Sequence, residues 1–235
     1  MGLAFLRANS GGTTNKPACF LALGLIAAMA LPAQAQTLEP WRAHVTAFTD
    51  KLYGHVDDAH NQRNYFWAKK LAAIDHVTLD DDVIFAAATL HDVGSMPGWE
   101  VKDQEHGDTA AAKLDQMLAG TDFPKEKMDR VREAMRTHMF YRQPGPSPEA
   151  RYLHDADALD NTGTIGIIWM MEGIRDKAGN GFTSQKAIKI LSGDASKIEQ
   201  GVVTPAGKAE MATRIAERKA VMDALARETD GFKNF

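Results

Sequence analysis

Three clusters of ionisable residues stand against apolar surroundings. The run Val83-Ile84-Phe85-Ala86-Ala87-Ala88-Thr89-Leu90 ends in His91-Asp92. Two polar groups closing a segment this apolar need partners or cost stability. Adjacent helical positions differ by roughly 100°, so both side chains can approach one ion from neighbouring directions. A satisfied histidine beside a helix-end carboxylate fits this pair equally well. The second cluster, His154-Asp155-Ala156-Asp157-Ala158-Leu159-Asp160, leads into an apolar run. Its three carboxylates repel one another unless water or a cation compensates them. An exposed acidic helix face is the alternative. The third is His60-Asn61-Gln62-Arg63, where histidine and arginine at i and i+3 share a face. A neutral imidazole there can ligate a metal while the guanidinium offers a fork for phosphate or carboxylate. His55 competes with His60 for that place.

The elements that must position these groups read as helices throughout. Glu39 to Tyr53 spaces Trp41, Val45, Phe48 and Leu52 by four, three and four, as one helical face requires. Further helices are predicted over Ala59–Ile74 and Thr78–His91, the latter with Asp80, Asp81 and Asp82 favourably placed at its positive end. Others are predicted near 107–118, 125–140, 149–160, 163–176, 184–191 and 205–228, with Gly94, Pro97 and Gly98 as breakers. No strand alternation, internal repeat or low-complexity tract is present. The expectation is one all-α domain, a single helical bundle.

The first 35 residues read as a targeting segment. Arg7 and Lys16 precede the apolar run Cys19 to Leu31, and Pro32-Ala33-Gln34-Ala35 supplies a small-x-small cleavage site before Gln36. The run falls well short of the ~20 apolar residues of a spanning helix. The expectation is a signal peptide over 1–35, a domain over 36–235, a periplasmic or secreted address, and no stable membrane span after cleavage. Cleavage removes two positive charges, taking the formal net charge from −4 to −6. It also removes Cys19, the one cysteine, so a metal site must be built from His, Asp and Glu. The charge balance argues against a nucleic-acid polymer as partner, though a small phosphorylated substrate needs only a local basic patch.

Taken in order, His60, His91-Asp92 and Asp157 resemble the H…HD…D signature of the HD superfamily of metal-dependent phosphohydrolases. The likeness is greatest to a bacterial branch with an HxxR start, an apolar helix ending in HD, two further histidines and a segment like DADRLDAxGAIGIAR. Here that segment reads Asp155-Ala156-Asp157-Ala158-Leu159-Asp160-Asn161-Thr162-Gly163-Thr164-Ile165-Gly166-Ile167. Thr204, Lys208 and Arg218 of the last helix are also similar to that branch. The resemblance implies an HD-type helical bundle with His60, His91, Asp92 and Asp157 as metal ligands. It places His106 and His138 where a second metal or the substrate binds, although surface histidines without a role fit them too. It implies that Asp155 orients a ligand or metal-bound water. For the mechanism, Asp155 is expected to accept the water's proton and Arg63 to hold phosphoryl oxygens, with Lys69 or Arg142 as further cations. Two departures bear on substrate: Ala158 replaces an arginine of the branch, and Ile168-Trp169 replaces Ala-Arg.

Two imidazoles and two carboxylates suit Mn²⁺, Fe²⁺, Mg²⁺, Co²⁺, Ni²⁺ or Zn²⁺, as one ion or two. Such a cation lowers the pKa of bound water and so generates a nucleophile for a phosphorus centre. His60, His91, Asp92, His106, His138 and Asp157 together are also similar to the ligand set of HD-type di-iron oxygenases. A secreted binding module on a degenerate HD scaffold is the non-enzymatic alternative.

Overall fold

The computed structural model describes residues 39–54, 58–168, 184–192 and 196–234. The expected signal peptide, His55, Trp169 and most of the helix expected over 163–176 lie outside the described residues. Those described belong to one compact unit spanning Leu38–Phe235. They are helical with no strand among them, as the sequence periodicity requires. No helix among them is long and apolar enough to cross a membrane.

The helices are α1 (Pro40–Tyr53), α2 (Asp58–Ile74), α3 (Asp81–Leu90), α4 (His106–Ala112), α5 (Leu114–Met117), α6 (Met128–Arg136), α7 (Pro148–Asp160), α8 (Ser184–Leu191), α9 (Ser196–Gly201) and α10 (Pro205–Glu228). Residues 163–168 are also helical. α2 lies along α7, α3 packs on α2 and α6, and α4 packs on α6. Leu71, Ile84, Leu90, Leu114, Met135, Leu153 and Leu159 are fully buried where these helices meet.

The boundaries follow local chemistry. Asp80 caps α3, its carboxylate accepting from the amides of Asp82 and Val83 at 3.1 and 3.4 Å. α3 therefore starts later than the periodicity suggests, because Asp80 serves as its cap. Ser147 caps α7 and Pro148 occupies its first turn, where a missing N–H costs nothing. The helix expected over 107–118 is broken at Lys113 into α4 and α5. The helix expected over 125–140 opens with a 3₁₀ turn and stops at Arg136. That early stop matters, because it turns His138 back into the bundle. α9 was not expected from the sequence.

Two glycines permit close approaches between these elements. A Cβ on Gly94 would lie 2.1 Å from the carbonyl oxygen of His106. The turn after Asp92 thus packs directly on the start of α4. A Cβ on Gly107 would meet the Met135 carbonyl oxygen at 2.6 Å, so α4 can close onto the end of α6.

Candidate metal centre

Five elements converge on one point: α2 brings His60, the end of α3 brings His91 and Asp92, α4 brings His106, the segment after α6 brings His138, and α7 brings Asp157. His60 Nε2 lies 3.5 Å from Asp92 Oδ2 and 3.3 Å from Asp157 Oδ1. His91 Nε2 lies 3.5 Å from Asp92 Oδ2 and 3.9 Å from Asp157 Oδ1. On the other side of the same carboxylate, Asp92 Oδ1 is 3.3 Å from His106 Nε2 and 3.4 Å from His138 Nε2. Asp92 thus faces both halves: an inner one of His60, His91 and Asp157, and an outer one of His106 and His138.

The histidines are aimed from behind. His91 Nδ1 and His138 Nδ1 lie 2.9 and 2.7 Å from the carbonyl oxygens of Ala88 and Met135. A carbonyl only accepts, so each Nδ1 carries the proton and each Nε2 presents a lone pair inward. His60 Nδ1 is 2.7 Å from Asp160 Oδ2, and His106 Nδ1 is 2.7 Å from Glu105 Oε1. Carboxylate or carbonyl support of this kind fixes the tautomer of metal-binding histidines and raises their basicity.

The donor set fits a cation on two observations. His91 Nε2 and Asp157 Oδ2 are buried without a hydrogen-bond partner, a costly state for polar atoms in a core. In the outer half, His106 Nε2 and His138 Nε2 face each other at 3.0 Å. His138 Nδ1 donates to the Met135 carbonyl, so its Nε2 offers a lone pair and the contact needs a proton or cation between the two nitrogens. His60, His91 and Asp157 form one group able to hold a metal ion, and His91, Asp92 and His138 a second.

The electrostatics run the same way. Burial opposes ionisation of Asp92, yet the surrounding histidines, His91 foremost, hold it well below the usual carboxylate range. Burial likewise opposes ionisation of Asp157, and hydrogen bonding to His60 with the charges of His138 and His91 overcomes it. Burial lowers His91 to about 4, leaving it neutral and able to ligate. Burial also works against protonation of His60, but Asp157, Asp160 and Asp92 outweigh it and raise its pKa well above normal. Without a cation, a proton takes that place.

The other expected residues lie elsewhere. Asp155 is fully buried, but its carboxylate accepts from the amides of Val203 and Thr204 at 2.9 and 2.7 Å and from the Thr204 hydroxyl at 2.6 Å. It anchors the start of α10 and does not face the His/Asp cluster. Two residues from Asp157 on a helix is a rotation of roughly 200°, which is why the two carboxylates diverge. Arg63 points its fork at Asp160, with Nε and Nη2 at 2.7 and 2.8 Å. Lys69 pairs with Asp81 at the opposite end of α3. Arg142 grips Asp108 at 2.7 Å and lies 3.5 Å from Glu105, at the margin of the outer half. Ala158 is fully buried, so the position given to arginine in the related branch is core here.

Sequence reasoning missed Asp160 and Glu105 as supports of the histidines. One signal was available for Asp160: it follows Asp157 by three residues as Arg63 follows His60, and α2 lies along α7. Asn64 was also missed. It is fully buried, with Nδ2 3.0 Å from His60 Nε2 and Oδ1 unpartnered.

Residues 59–162 match the HD domain family, a span that holds every residue of the cluster. Solved structures share the fold. Bacillus subtilis YpgQ in complex with ADP aligns with a TM-score of 0.61 at 19% identity, covering 81% of this chain and 98% of that one. A Lactobacillus plantarum protein aligns with a TM-score of 0.60 at 20% identity, covering 80% and 96%. An HD-superfamily hydrolase from Bacillus thuringiensis aligns with a TM-score of 0.59 at 20% identity, also covering 80% and 96%. At such identities the likeness is one of fold. Comparison with curated proteins gives no match.

Proposed function

We propose that the chain, which belongs to the HD-domain superfamily, is a metal-dependent hydrolase of small phosphorylated molecules, with nucleotide-like phosphoesters or phosphoanhydrides as its substrate class. The observation that carries this reading is the pair of buried, unpartnered donor atoms, His91 Nε2 and Asp157 Oδ2, beside His60 and Asp92. His60, His91, Asp92 and Asp157 would hold a divalent cation. His106 and His138 would hold a second, sharing Asp92, or contact the substrate. When bound, the cation activates water for attack on phosphorus and offsets the charge that develops.

The chain's own residues do the positioning. Asp160 accepts from His60 Nδ1 and is itself clamped by Arg63, so Arg63 acts on the centre through Asp160. Arg142, whose fork is held on Asp108, is the cation that lies on the rim beside Glu105. Asp155 carries no step, because its oxygens are engaged at the start of α10. The nucleotide-like class draws support from YpgQ, a structural neighbour solved with ADP. A periplasmic or secreted address, supported by the leader-like first 35 residues, favours scavenged phosphoesters over intracellular ones.

Incubating the Mn²⁺-loaded protein with nucleoside mono-, di- and triphosphates and with an aryl phosphodiester tests this directly. The expected result is phosphate, pyrophosphate or phenol release that chelator abolishes. A loaded protein inert to the whole panel contradicts it. Two bound irons with near-visible absorption would instead favour the oxygenase reading, for which the shared Asp92 is the supporting observation.

A further inference from the structure

We infer that Glu105 is the positioning residue of the outer half of the centre: it holds His106 with Nε2 toward Asp92 and so sets how tightly that half takes a divalent cation. The inference rests on the metal-dependent reading above. Glu105 Oε1 lies 2.7 Å from His106 Nδ1 and accepts from the Tyr141 hydroxyl at 3.2 Å. Its Oε2 accepts from the amides of Gly107 and Asp108 at 2.9 and 3.3 Å, with Arg142 Nη2 at 3.5 Å.

Capping the first turn of α4 accounts for Oε2 alone. Oε1 is left to the imidazole and the phenol, and a cap needs neither. The carboxylate is held by its backbone contacts, so the imidazole it supports is held with it. A carboxylate oxygen 2.7 Å from Nδ1 places negative charge behind the ring and strengthens Nε2 as a donor to a cation. Asp160 does the same for His60, while His91 and His138 lean on backbone carbonyls. Each half therefore pairs one carboxylate-supported imidazole with one carbonyl-supported imidazole. The inner support is almost fully buried, with 1% side-chain exposure at Asp160, against 20% at Glu105. The outer half is accordingly the one closer to solvent and the more readily exchanged.

The test is a titration of the purified, chelator-stripped protein with Mn²⁺ alone, reading free Mn²⁺ by electron paramagnetic resonance. The wild type is expected to take two ions of unequal affinity. Glu105→Gln keeps a side-chain oxygen for the α4 cap but removes the charge. It is expected to weaken one ion by about 10- to 100-fold, leaving the other ion and the metal-free melting temperature unchanged. Asp160→Asn is expected to weaken the other ion. Equal weakening of both ions by Glu105→Gln, or no weakening, overturns the inference. A wild type that takes one ion also overturns it while leaving the metal-dependent reading intact; a wild type that takes none overturns both. Should Glu105→Gln fail to fold, long-range ¹H–¹⁵N imidazole spectra of the wild type decide. The Nδ1–H tautomer at His106 is expected, and the Nε2–H tautomer contradicts the inference.

Discussion

The two ends of α3 each gather carboxylates, and they handle them in opposite ways. At the N-terminal end, Asp81 meets Lys69 at 2.7 Å and Arg42 at 2.9 Å, and Asp82 meets Arg42 at 2.6 Å and Lys127 at 2.7 Å. Asp80 caps the helix and pairs with Lys127 at 2.9 Å and Arg130 at 3.4 Å. Behind it, buried Glu149 meets Arg130 at 2.7 Å. At the C-terminal end, Asp92 and Asp157 face imidazoles, and two donor atoms remain buried and unpartnered. The carboxylates at one end are thus met by permanent cations, with Glu149 Oε2 alone buried without a hydrogen-bond partner, whereas at the other end an imidazole nitrogen and a carboxylate oxygen of facing side chains are both left unmatched. Acidic clusters are common in proteins, and the difference lies in what faces them: lysine and arginine at one end, imidazoles and ligand atoms able to hold a metal ion at the other.

Chelation gives the largest effect that separates the ends. Adding Mn²⁺ at about a hundredfold excess over its dissociation constant should raise unfolding stability by about 2.7 kcal/mol, read as a shift in melting temperature. That shift should vanish in Asp92→Ala and survive any change at the N-terminal end. A smaller effect should come from Asp80→Ala, which removes a helix cap and is expected to cost about 1 kcal/mol with metal content unchanged. Denaturant unfolding beside elemental analysis checks it, and loss of metal in that variant would erase the contrast between the two ends.

Much of this was legible in the chain. An apolar segment closed by His91-Asp92 cannot be an ordinary surface helix, and the order His60, His91-Asp92, Asp157 names the residues that α2, α3 and α7 bring together. The helical class followed from spacing alone. What was not legible depends on direction and on distant partners. Residue type alone does not separate Asp155 from Asp157, and their rotation about α7 sends one to Thr204 and the other to His60. Asp160 lies a hundred residues from the His60 it supports. Glu105 reads as a helix-start acid until its second oxygen is seen against His106. His138 faces inward because α6 stops at Arg136, and no glycine or proline in Arg136-Thr137-His138-Met139 announces that stop. Lys69 and Arg63 show the reverse case, cations near a ligand in sequence whose carboxylate partners lie elsewhere in the fold.

The central claim is that the unmatched atoms at the C-terminal end of α3 exist to hold a divalent cation. Elemental analysis of protein purified without chelator, beside Asp92→Ala, tests it most directly. The account predicts one or two ions per chain in the wild type and none in the variant. No metal in either, even after soaking in Mn²⁺, would contradict it and leave a helical binding domain.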